Sequence, residues 1–106
     1  MKRVYDDEKY GYLVKNRYDF IAHYRDISLW TRVHRCQAWF YTDDNGWKWL
    51  KSYSTIVAVY VPDDDTLYSF GRYSSTTYQH VRKFRNDYLP NMHLTNEVNI
   101  EYENWY

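Results

Sequence analysis

A chain of 106 residues is long enough for one hydrophobic core and too short for two independent ones. Lysine plus arginine and aspartate plus glutamate stand at 14 each, so no net field draws the whole protein to nucleic acid, and an electrostatic partner must be met by a local patch. A single cysteine, Cys36, excludes an intramolecular disulfide; no run reaches the roughly 18 apolar residues of a membrane span, and no N-terminal stretch reads as a secretory signal, so the expectation is a reduced, cytoplasmic protein without membrane contact.

The outlying feature is an aromatic content of 22%, from 14 Tyr, 5 Trp and 4 Phe. Buried tyrosines and tryptophans need partners for their O–H and N–H groups, and a small domain cannot hide so many in comfort. Several are therefore expected at the surface, where rigid aromatic side chains favour binding. Taken one at a time, each is better explained as a strand residue packing against its neighbours.

In chain order, Tyr10, Leu13, Val14, Arg17, Tyr18, Ile21 and Tyr24 recur at spacings of three and four, which predicts a helix over residues 16 to 25, with an extended segment as the other reading. Leu29 to Tyr41 shifts toward period two and predicts a strand, placed most firmly from Arg35 to Tyr41. Asp43-Asp44-Asn45-Gly46 is a hairpin turn, since Asn-Gly accepts positive φ, and Cys36 to Tyr41 should pair antiparallel with Trp47 to Tyr53. Ser52-Tyr53-Ser54 interrupts the apolar pattern as a bulge or bend before a buried strand, Thr55 to Val61. Pro62-Asp63-Asp64-Asp65 forms a second turn, and Thr66 to Arg72 the next strand. Ser74, Ser75 or Thr76 then caps a helix in which Thr77, Val81, Phe84 and Tyr88 make one stripe, ended by Leu89-Pro90. Val98, Ile100 and Tyr102 alternate as a last edge strand.

The densest β-branched run and the best helix start thus lie together. Ser52-Tyr53-Ser54-Thr55-Ile56-Val57-Ala58, then Gly71-Arg72-Tyr73-Ser74-Ser75-Thr76-Thr77, then His80 and Phe84, resemble a small domain of unknown function from phage and mobile-element proteins of Gram-positive bacteria. Its pattern is approximately Ser-Tyr-x-Thr-x-Val-Ala, followed by Tyr-Ser-x-Thr-Thr-x-x-His-x-x-x-Phe. The resemblance covers residues 50 to 88 and implies a phage or prophage setting. It carries no activity.

Four groups of residues invite chemistry. His80 after the Thr76-Thr77 pair could act as a base or meet an anion, yet cap hydroxyls and a histidine satisfying a buried group explain the same pattern better. His34 and Cys36 share a predicted strand face, but two ligands do not make a zinc site, and no metal or other cofactor is expected. Asp63, Asp64 and Asp65 lack the glycine and glutamate of a calcium loop and read as a solvated turn. Arg72, Arg82, Lys83 and Arg85 form a basic cluster on the helix and the strand before it, which could hold a strand of RNA or DNA; an ordinary charged helix surface competes with that reading.

The fold expected is α+β: an antiparallel sheet of three to five strands over residues 36 to 72, covered on one face by the helix at 75 to 88, with the N-terminal segment completing a single domain. The leading functional expectation is a non-catalytic protein, not an enzyme, that inhibits a host defence protein of the anti-CRISPR-target kind, such as a CRISPR effector, by steric occlusion. Its anchors would be Trp30, Trp39, Trp47, Trp49 and Trp105, those on the Asn-Gly hairpin being best displayed. The alternatives are a nucleic-acid-binding module using Arg72, Arg82, Lys83 and Arg85, and a homodimer whose aromatic face is its own interface.

Overall fold

The computed structural model describes residues 2–3, 29–70, 74–89 and 96–99. Seven strands, one α-helix and a short 3-10 turn at Pro62–Asp64 are seen there: β1 (Lys2–Arg3), β2 (Thr31–Arg32), β3 (Ala38–Thr42), β4 (Lys48–Ser52), β5 (Thr55–Val61), β6 (Thr66–Ser69), α1 (Ser75–Tyr88) and β7 (Asn96–Asn99). They form one sheet in the order β1-β7-β6-β5-β4-β3-β2. Strands β2 to β6 are an antiparallel meander of five neighbours, as the short turns between them dictate. The sheet is larger than three to five strands and is mixed, because β7 adds parallel to β6, and β1 parallel to β7. The cause is connectivity: a 14-residue helix between β6 and β7 carries the chain back along the sheet, so the strand that follows runs the same way. The predicted helix over residues 16 to 25 lies outside the described residues.

The β3–β4 hairpin is closed by its aspartate as much as by Asn-Gly. Only Gly46 in this turn has positive φ, 82°, so the turn is not the two-residue form in which Asn45 would share that conformation. Gly46 N–H instead donates to Asp43 O at 2.9 Å, and Asp43 N–H to Trp47 O at 2.9 Å. The Asp43 carboxylate accepts from three donors. Its Oδ1 takes the backbone N–H of Asn45 (2.9 Å) and of Trp47 (3.0 Å), and its Oδ2 takes the indole N–H of Trp49 at 3.1 Å.

The strand predicted from Arg35 to Tyr41 begins later, at Ala38. Arg35 adopts φ 59°, Cys36 N–H donates to Val33 O (3.0 Å), and Val33 N–H to Ala38 O (2.9 Å), which makes residues 33 to 37 a tight turn between β2 and β3. His34 and Cys36 therefore sit in a turn rather than on one strand face. Similarly, β6 ends at Ser69, three residues short of the expected Arg72, although Phe70 N–H still donates to Val57 O at 3.0 Å.

The interruption at Ser52-Tyr53-Ser54 is a turn, since Ser52 pairs with Thr55, and the bulge lies further on. Leu50 opposes Ala58 while Lys51 opposes Ile56, which leaves Val57 as an extra residue on β5. Its consequence is a change of phase. Val57 and Ala58 both enter the cluster that contains helix residues, whereas Ile56 and Val59 enter the cluster on the opposite side.

Helix α1 is tied to that first cluster by Phe84 and Leu89, with Val81 and Tyr88 packed against it. The Phe84 and Phe40 rings are 5.5 Å apart, those of Tyr88 and Phe40 4.9 Å, and the Tyr88 hydroxyl accepts from His34 N–H at 3.0 Å. Cap and start match the sequence: Ser74 Oγ accepts from Thr77 N–H at 3.3 Å. None of the described helices is long and apolar enough to cross a membrane.

Candidate functional site

The expectation that Trp47 and Trp49 stand displayed on the hairpin is corrected. Their exposures are 6% and 0%, and Trp30 is likewise buried at 7%. Trp49 stacks within 6° of parallel on Phe70 at 6.4 Å and donates to Asp43, while Trp47 lies 6.2 Å from it. An aromatic strand beside a turn is displayed only if one sheet face is wet; here the alternating residues of β4 and β5 are buried on both faces. Trp39 is half-buried, and Trp105 lies outside the described residues. Among the described residues, the large apolar side chains that do stand exposed are Leu29, Tyr53 and Tyr78.

Tyr53 lies beside the place where the residues of the resemblance meet, and Tyr78 stands two residues before His80 on α1. At the end of β4, Ser52 Oγ is hydrogen-bonded to His80 Nδ1 at 2.7 Å and lies 3.4 Å from Thr77 Oγ1, whose other neighbour is Ser74 Oγ at 3.3 Å. The Tyr53 ring lies 5.6 Å from the His80 ring, tilted by 50°. Residues far apart in sequence thus form one chain of hydroxyls and an imidazole joining the β4–β5 turn to the first turns of α1. Ser52 and His80 are only 3% and 6% exposed, so the pair is buried beside the Tyr53 ring. It reads as a fastening between helix and sheet.

Burial pushes the His80 imidazole below its ordinary value of 6.5, because the charged form would lose its hydration. The unfolded chain therefore takes up the proton first. Stability that the neutral imidazole contributes is fully present above pH 6.5 and falls as pH drops below 6.5 toward the depressed folded value. Urea midpoints measured from neutral pH down through this window should fall, and the fall should be smaller in His80→Gln. An identical pH profile in the variant would remove His80 from the effect.

A second assembly was not foreseen in the sequence, although its composition was visible there. Residues 29 to 42 and 47 to 61 contain Arg32, Arg35, Lys48 and Lys51 and no acidic residue. On adjacent strands Arg32 is opposite Trp39, and Trp39 is opposite Lys51, so one row across β2, β3 and β4 reads arginine, tryptophan, lysine on a common face. The Arg32 guanidinium carbon lies 5.9 Å from the Trp39 ring centre, and Lys51 Nζ lies 4.5 Å from that of Trp30. Arg32 Nε also donates to Cys36 O at 2.9 Å, which fixes the guanidinium. Burial pushes the Lys51 ammonium below its ordinary 10.5.

The basic cluster expected on the helix is partly neutralised. Lys83 faces Asp87 at 3.9 Å, Arg85 faces Glu97 on β7 at 3.2 Å, Arg82 is exposed, and Arg72 lies outside the described residues. Glu97 could not be matched to Arg85 from sequence, since the pairing depends on β7 returning beside β6. No three His, Cys, Asp or Glu side chains gather as a metal site among the described residues.

No curated protein and no solved structure matches the chain. A family model does match, over residues 21–102, and so includes the antiparallel meander, the hydroxyl–imidazole fastening and α1; the chain belongs to that family, the family of unknown function DUF8033.

Proposed function

We propose that this domain is a non-catalytic binding module that acts by occupying the surface of a partner protein, with Tyr53 and Tyr78 rather than the hairpin tryptophans as its anchors. The observation that carries the reading is Tyr53. It holds φ at 54°, a conformation costly for a bulky side chain and cheap for glycine, while leaving 56% of the residue exposed. Strain accepted at an exposed aromatic points to a use for the ring outside the core. The Ser52–His80 bond and the His80 ring alongside give it a fixed seat, and a rigid tyrosine loses little side-chain entropy on binding.

The resemblance to phage and mobile-element proteins makes a host defence protein the first target to test, an anti-CRISPR-type inhibition by occlusion included. A tagged chain is used to capture proteins from host lysate, with and without nuclease, and the captured material is identified by mass spectrometry. One near-stoichiometric protein that survives nuclease supports the reading. Tyr53→Gly should lower its capture at least tenfold while leaving the urea midpoint unchanged or higher, because glycine relieves about 1 kcal/mol of backbone strain. Equal capture by Tyr53→Gly and Tyr78→Ala would end the assignment of this surface. A defined dimer on sizing in solution, lost in the same variants, would make the partner a second copy of the chain.

A further inference from the structure

We infer that the Arg32–Trp39–Lys51 row is a binding strip for single-stranded nucleic acid. This does not rest on the protein-binding reading, which uses a different part of the surface.

The argument begins with charge. A chain of zero net charge has placed four cations and no carboxylate on residues 29 to 42 and 47 to 61, bordered by Asp26, Asp43, Asp44 and Asp63 to Asp65; Lys48 lies over Phe40 on the helix side of the sheet, which leaves Arg32, Arg35 and Lys51 for the row. Among the described residues, none of Arg32, Arg35, Lys48 and Lys51 faces a carboxylate, whereas Lys83 and Arg85 on the helix do. Cations that meet no carboxylate among the described residues match a ligand that brings its own negative charges.

The shape of the row then selects the ligand. Trp39 is half-buried between Arg32 and Lys51 on the neighbouring strands, and the planar guanidinium of Arg32 lies over it, held by its bond to Cys36 O. Bases of a single strand stack on indole rings and on guanidinium planes, while neighbouring ammonium and guanidinium groups take the phosphates. Arg35, exposed in the turn that follows β2, extends the positive charge along the end of the sheet. A paired duplex hides the base faces that this row would stack against.

The test uses the whole chain and fluorescein-labelled oligo(U) and oligo(dT) of roughly 12 nucleotides, with a duplex of equal length, read by anisotropy. Single strands should bind, more tightly than the duplex, and log affinity should fall with log salt at a slope of about −2, from three phosphate contacts between about 50 and 200 mM salt. Trp39→Leu should weaken binding roughly tenfold or more. Because that change touches a half-buried ring, Arg32→Gln/Lys51→Gln is the second variant: it leaves every apolar side chain in place and should bring the slope near −1. Arg82→Gln on the helix should change neither. The inference is overturned by absent or salt-independent binding, by preference for the duplex, or by an unchanged slope in Arg32→Gln/Lys51→Gln. It is equally overturned if those two changes release a nuclease-resistant acidic protein from the tagged chain, which would give the strip to a protein partner.

Discussion

Phe84→Ala should cost about 3–5 kcal/mol, a large part of a total stability of order 5–15 kcal/mol. Phe84 is the fully buried side chain of α1 and packs 5.5 Å from Phe40 of β3 and 6.4 Å from Tyr88. Its removal loses the transfer energy of the ring and leaves a cavity between helix and strands that neither Leu50 nor Leu67 can fill without moving the backbone. Urea unfolding followed by far-UV circular dichroism gives the loss directly. Hydrogen exchange adds the location: amides of α1 should lose protection before those of β4 and β5. A loss below about 1 kcal/mol would mean that the helix is not docked through this ring.

Asp43→Ala should be the most damaging change at a residue that is not apolar, at about 3 kcal/mol. The carboxylate holds two backbone N–H groups of its own turn and the indole N–H of Trp49, a side chain with no exposure. Deleting it leaves that buried donor without an acceptor, which alone costs about 1–3 kcal/mol, and frees the loop that sets the β3–β4 register. Asp43→Asn separates the two effects. Its carbonyl can still cap the turn, but its amide would then face the Trp49 N–H donor to donor, so about half the loss should remain. For a domain of this size the Ala variant should melt on the order of 15 °C lower. A change of a few degrees would show that the turn is held by Gly46 and the strand ladder alone.

Both effects bear on how far the sequence could be read. The α1 cap at Ser74 and the stop before Pro90 were legible because capping and proline act within a few residues. For the same reason Thr55 to Val61 was legible as a buried strand. The bulge at Val57 was not, since an extra residue is defined only against the partner strand, and Leu50 and Lys51 reveal it only once paired. The turn at 33 to 37 was missed because Arg35 carries no mark of positive φ, unlike glycine or asparagine. His80 was expected to satisfy a buried carbonyl or hydroxyl, and it is hydrogen-bonded to the Ser52 hydroxyl; that partner, 28 residues away, was invisible as such in the sequence.

By itself the sequence determined the local pieces: an antiparallel hairpin around Asp43 to Gly46, a β-branched core strand, a capped helix, and an acid-free aromatic stretch from residue 29 to 42. Only the tertiary structure decided which aromatics are available. Alternation says that neighbouring residues point to opposite faces, but not whether a face is wet, and that question turned Trp47 and Trp49 into core and left Tyr53 outside. It also decided that Arg32, Trp39 and Lys51 form one row, because register is a relation between strands and no single strand contains it.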